Sequence, residues 1–323
     1  MEGFASATRA AAAGGITTVV DMPLDSVPAT VSADKLRVKR RAADGQCHVD
    51  VGFWAGVIPG NTPELEPLAR AGVAGFKCFL ADSGSPGFPP VDTGQLTEAL
   101  RVTARLGLPL LVHAESAPAA PGYAGPSYAG YLASQPRGLE NLAVAQVIEA
   151  ARMTGGHAHV VHLSSSDALP MIASPRREGV RVSAETCPHY LTLTAEKIGD
   201  GQTAAKCSPP VREAANRELL WRGLRENVLD LVVSDHSPCT AAMKGPDFGP
   251  AWGGISSRYA DTQFGSVTSA PSGITLTSGP LAAAGPMLHR AGHSRPDAPS
   301  RRCGTEPVRA RSRRGTGALS VSR

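Results

Sequence analysis

An α/β fold built around a parallel sheet, an incomplete (β/α)8 barrel of the TIM type, is what this 323-residue sequence predicts. Three observations lead there. Seven short apolar, β-branched segments alternate with helical segments, as when parallel strands are joined by helical crossovers. The unusual polar residues Lys77, His113, His162 and Asp235 all stand at or near the C-terminal ends of these strands, where barrel enzymes place their chemistry. The length also exceeds the ~250 residues that one such barrel needs.

The elements follow in order. Phe4, Ala7 and Ala11 recur at helical spacing over residues 2–13, and Gly14–Gly15 ends that helix. ITTVVDMP is a β-branched strand ending at Asp21, and SADKLRVKRRAADG is a basic helix. VDVGFWAGV is the second strand, and residues 63–71 form a short helix. GVAGFKCFL is the third strand. Its alternation puts Val73, Gly75, Lys77 and Phe79 on one face and Ala74, Phe76, Cys78 and Leu80 on the other. Residues 82–90 are a Gly/Pro-rich loop, residues 93–106 a helix, and LPLLVHAE a strand. Residues 116–136 form a long irregular connection with three tyrosines, placed to cover a site from above. A helix over 138–154 leads into HAHVVHLSS. Another helix over 166–178 leads into RVSAETCPHYLTL, and a helix over 213–227 leads into LVVSDHSP. A closed barrel needs eight strands, so a further strand is expected ahead of Met1.

The chain divides by composition. Residues 1–257 carry the barrel pattern and a formal charge of −3. Residues 258–323 hold ten arginines, no lysine and three acids, with Gly, Pro and Ser dominating and no sustained periodicity. Such a tail is expected to be disordered or out of frame; the alternative is an arginine-rich arm for RNA or a membrane surface. The barrel part is not basic, so neither nucleic acid nor membrane is an expected partner. Six cysteines without close pairing, no 18-residue apolar run and no cleavable signal layout point to a reducing cytoplasm.

A buried ammonium is costly, so Lys77 must be paired, neutralised or chemically changed. Zinc accepts imidazole and carboxylate ligands and, in catalytic sites, keeps a position for water. Two ions ~3.5–4 Å apart can share a bridging carboxylate, and a neutral buried lysine that adds carbon dioxide becomes such a bridge. Lys77, His113, His162 and Asp235 are therefore the candidate metal ligands. Asp235 is also the candidate proton carrier between attacking water and leaving nitrogen. With no serine or cysteine triad in evidence, hydrolysis of an amide by metal-activated hydroxide is the expected chemistry. His157 and His159 share a parity opposite to that of His162 and are expected to face outwards or lie in a turn. His236, next to Asp235, is expected to point away.

The stretches EGFASATRAAAAGGITTVVDMPLDS, GFKCFL, LLVHAE, VVHLSS, SAETCPHYL, KCSPPVR, LVVSDHSPC and AWGGISS lie in the order found in the cyclic amidohydrolases, the dihydroorotase- and dihydropyrimidinase-like family. Within that family the chain resembles the allantoinases, and the resemblance covers nearly all of residues 1–257. It implies a metal-dependent barrel that opens the ring of allantoin to allantoate, with two divalent ions, zinc foremost, bridged by N6-carboxylated Lys77. His113 and His162 would hold the second ion and Asp235 the first. Ser208, largely through its backbone, and Ser237 would contact the ring amide. His189 would be loop-shaping, not a ligand. The resemblance also implies a homotetramer for the complete protein. Three departures stand out: the family's His-x-His pair for the first ion has no counterpart, Asp25 stands where a ring-contacting asparagine is expected, and the family's β-sandwich is missing. The first-ion site is therefore expected to be incomplete, and the chain to be an inactive fragment of its kind. The alternatives are another cyclic amidohydrolase (dihydropyrimidinase, hydantoinase or dihydroorotase) and a non-catalytic scaffold relative.

Overall fold

The structure, a computed structural model, describes residues 2–117 and 122–256. The tail expected over 258–323 lies outside the described residues. Seven strands form one sheet in sequence order: β1 (Thr18–Asp21), β2 (Asp50–Gly56), β3 (Gly75–Phe79), β4 (Leu110–His113), β5 (Ala158–Val160), β6 (Val182–Thr186) and β7 (Leu231–Val232). Every neighbouring pair is parallel, and β1 does not pair with β7. The sheet is a curled, open barrel.

Strand alternation sorts the side chains into two compartments. Phe76 and Cys78 of β3 and Leu110 and Val112 of β4 face the helices in the main core. Val20, Trp54, Leu111 and Val161 form a smaller interior cluster. Gly75 makes this interior possible, since a Cβ there would sit 2.6 Å from the Trp54 ring and 2.7 Å from the Pro109 carbonyl oxygen. The register Gly56–Lys77–Leu111–His159–Ser183 continues across five strands and sets Lys77 and His159 on one interior level.

The helices begin and end where local chemistry favours it. Lys39 of α2 (Ala33–Ala43) is buried against β1, its ammonium 2.7 Å from Asp21 Oδ2 and 2.6 Å from the Met22 carbonyl. In α4 (Thr93–Leu106), Asp92 accepts from Gln95 N at 2.8 Å while the Gln95 side chain accepts from Asp92 N at 3.0 Å, a reciprocal cap. Asp92→Ala is expected to lower unfolding free energy by about 1 kcal/mol in urea titrations without changing the m-value.

Two segments differ from the sequence expectation. The irregular connection over 116–136 contains a helix, α5 (Tyr128–Ser134). Its Tyr128 and Tyr131 hydroxyls donate to the carbonyls of Val211 (2.6 Å) and Cys207 (2.8 Å), tying it to the loop after β6. The strand expected through RVSAETCPHYLTL stops at Thr186, because Pro188 has no N–H to give a ladder; α8 (Pro188–Thr192) follows.

Candidate metal centre

Lys77 is 3% exposed, on the interior face of β3, with its Nζ 5.1 Å from the centre of the Phe79 ring. Burial pushes its pKa below the usual lysine value, while Asp235, Glu185 and Asp25 pull the other way. Those three carboxylates are thus within electrostatic reach of Lys77, although they come from three different segments of the chain. The Phe79–His113 register stacks the two rings at 4.5 Å and 15°. His113 Nδ1 lies 3.0 Å from His162 Nε2, and His113 Nε2 lies 3.3 Å from Glu115 Oε2.

His162 reaches this position through its backbone. The β5 ladder ends at Val160, and His162 adopts φ +43°, a left-handed conformation that a residue without glycine's freedom holds only when its surroundings enforce it. Asp235, three residues past β7, has φ +42°, and Asp25 has φ +54°. Three of the four described non-glycine residues with positive φ are therefore predicted site residues. Burial, with His113 and Lys77 next in order, depresses His162 well below the ordinary histidine pKa, so its ring is neutral and its Nδ1 has no hydrogen-bond partner. A buried imidazole with one unpaired nitrogen, beside a second histidine and a buried lysine whose pKa is lowered, fits a divalent ion with nitrogen and oxygen ligands.

The remaining predicted residues lie around this group. Asp25 is exposed; desolvation raises its carboxyl, while Lys77 and Lys39 lower it. Ser208 precedes a cis peptide to Pro209, and its Oγ is 3.3 Å from the Tyr131 hydroxyl. Ser237 accepts from Trp252 Nε1 at 3.2 Å, and its N–H donates to the Ile255 carbonyl. His236 faces away and pairs with Glu2 at 2.7 Å.

One histidine contradicts the sequence reading, and a second has neighbours that the sequence does not show. His159 does not face outwards: it is fully buried inside the barrel, 3.0 Å from Glu185 Oε2 and 2.7 Å from Ser183 Oγ. Parity counted back from His162 failed because the turn at His162 breaks the alternation. His189, expected to shape a loop, is buried in α8 close to Cys187 and Asp235; the ligand atoms of these three residues all lie within 4.8 Å of one another. Among the described residues this is the one group of three or more His, Cys, Asp and Glu so arranged. It is a partial metal-coordinating cluster; a complete two-ion centre with a carboxylated lysine is not seen. The short Cys-x-His spacing across a proline was the available signal, but only the turn into α8 reveals its meaning.

Comparison with known proteins places these features. No family model matches the chain. The allantoinase of Streptomyces avermitilis is 54% identical over 258 residues, a match covering 79% of this chain and 58% of that protein. The allantoinase of Saccharomyces cerevisiae is 46% identical over 267 residues, again covering 79% and 58%. Among solved structures, an L-hydantoinase (dihydropyrimidinase) from Arthrobacter aurescens superposes with a TM-score of 0.70 at 32% identity, covering 75% of this chain and 55% of that one. The chain thus spans less than two thirds of the length of these relatives.

Proposed function

Over 79% of its length the chain is homologous to the allantoinases, and on that premise we propose that it carries the Lys77, His113, His162 and Asp235 portion of a metal-dependent cyclic-amide hydrolase whose substrate is allantoin. The observation that carries this reading is the placement of Lys77: a buried lysine on the inner face of a parallel barrel, with a histidine pair at the ends of the next two strands. No polar residue is expected on that face without a task.

Lys77, His113 and His162 would hold one ion and Asp235 would face a second; a bound divalent ion supplies Lewis-acid polarisation and acidifies water. The neutral Lys77 amine can form an N–C bond to carbon dioxide and lose a proton, which gives an anionic carbamate in place of a buried ammonium. Asp235 accepts the proton released as water adds to the ring carbonyl. It returns that proton to the ring nitrogen as the C–N bond breaks and so ends as a carboxylate again, while the new carboxylic acid loses water's other proton to solvent. Ser208 and Ser237 hold the amide, and Asp25 adds a negative charge at the rim.

No histidine precedes His48, so the His-x-His pair that the resemblance assigns to the first ion is not among these residues. The test measures consumption of allantoin, hydantoin, dihydrouracil and dihydroorotate with divalent metal and bicarbonate. It uses residues 1–323 alone and the same chain with a His-x-His-bearing strand joined ahead of it. Turnover is expected only in the extended protein, fastest on allantoin, and lost in Lys77→Ala. Preference for another of the four rings, or full activity in Lys77→Ala, would overturn the proposal.

A further inference from the structure

Beyond the lysine–histidine group, the strand ends hold a second set of donors. Cys187 leaves β6 in an extended conformation and His189 follows two residues later inside α8, which turns both side chains to the same side. Asp235 arrives from the adjacent strand, since β6 and β7 pair at Glu185–Leu231 and Thr186–Val232, and its positive φ bends the chain there. Cys187 is fully buried and His189 is 3% exposed, whereas Asp235 is partly open to solvent. Neither Nδ1 nor Nε2 of His189 has a hydrogen-bond partner. An imidazole with both nitrogens buried and unpaired is a costly arrangement unless something else occupies a lone pair.

We propose that Cys187 Sγ, a ring nitrogen of His189 and the Asp235 carboxylate form a single-ion site for a borderline-soft divalent cation such as zinc. It has three protein ligands and an open fourth position on the Asp235 side. The set matches the pattern of open zinc sites, with thiolate, imidazole and carboxylate each an accepted ligand. The thiolate selects zinc or cobalt over magnesium and calcium, which prefer all-oxygen shells. On binding, the metal–sulfur bond forms and the thiol proton passes to solvent. The site is separate from Lys77, His113 and His162 but shares Asp235 with the hydrolase reading, so an ion held here withdraws the carboxylate assigned to proton transfer.

The test is titration of metal-free residues 1–323 with cobalt(II), followed by its absorption spectrum. A sulfur-to-cobalt charge-transfer band in the near ultraviolet is expected to saturate at one equivalent. Nitrogen and oxygen ligands alone give no such band, so the result is independent of whether the hydrolase reading holds. Cys187→Ser should abolish the band and His189→Asn should weaken cobalt affinity by at least ~10-fold. Cys207→Ser and Lys77→Met should leave the band unchanged, and circular dichroism checks that each variant is folded. Absence of the band from the folded parent, its survival in Cys187→Ser, or its loss in Lys77→Met would each overturn the proposal.

Discussion

Glu140→Ala is expected to destabilise the protein by about 3–5 kcal/mol, the range for removing one member of a buried charge pair. Glu140 lies in α6 (Arg137–Thr154), is 1% exposed, and holds the loop after β5 through both of its oxygens. Oε1 accepts from Ser164 N at 2.7 Å and Oε2 from Ser165 N at 2.9 Å, with Arg212 Nη2 3.7 Å from Oε2. Truncation strands two buried N–H groups and leaves Arg212, also buried, without its counter-charge. The loop it fastens begins two residues after His162, so the same variant should loosen the histidine pair.

The charge on Glu140 gives the test a second readout. Burial raises its pKa to about 7 from the ordinary carboxyl value, against the pull of Arg212 and the two N–H groups. A carboxyl whose folded pKa is raised binds its proton more tightly in the native state. Its contribution is therefore complete below the unfolded pKa and declines as pH rises towards the folded one. The stability gap between parent and Glu140→Ala, measured by urea unfolding, should narrow between about pH 4.5 and 7. A gap that widens over that interval, or stays under ~1 kcal/mol throughout, would contradict the argument.

How far the sequence could be read depended on whether local rules were overridden. Strand alternation at GVAGFKCFL puts Lys77 and Phe79 on one face and Phe76 and Cys78 on the other, as in the structure, because β3 is a regular ladder along its length. The helix over 93–106 was legible for the same reason, since its start is decided within four residues by the Asp92–Gln95 cap. Alternation does not carry past a strand end. His159 faces inwards against the parity counted from His162, because the left-handed backbone at His162 resets the alternation. The grouping of His189 with Cys187 and Asp235 is hidden because the last two are 48 residues apart in sequence and meet only through the β6–β7 pairing. The helix α5 was hidden among Gly, Pro and Ser; what stabilises it is two tyrosine hydroxyls reaching residues 76 and 83 positions away. Glu140 is a first-turn acid of α6, and nothing local shows that both its oxygens are spent on a distant loop.

Lys77→Met is expected to leave the chain more stable than the parent, by about 1–3 kcal/mol at pH 7 in the presence of a chelator. Lys77 sits at the level of Leu111 on the next strand and close over Phe79, in a compartment whose apolar members include Trp54 and Val161. The native state must either desolvate an ammonium there or hold the amine neutral below its normal pKa, and both lower stability. Methionine fills nearly the same volume with no polar atom, and replacing buried ionic groups by apolar ones of similar size commonly stabilises by such amounts. Natural sites accept this cost where the strained group has work to do. The same variant should therefore lose the weaker, second zinc or cobalt ion that the Lys77, His113 and His162 set holds, while the cobalt–sulfur band at Cys187 persists at one equivalent. Urea unfolding and metal titration on one preparation test both halves. A drop in stability of more than ~1 kcal/mol would mean that the carboxylates of Asp235 and Glu185 over-compensate the burial of Lys77. The lysine would then be a structural ion-pair partner, not a group held ready for carboxylation.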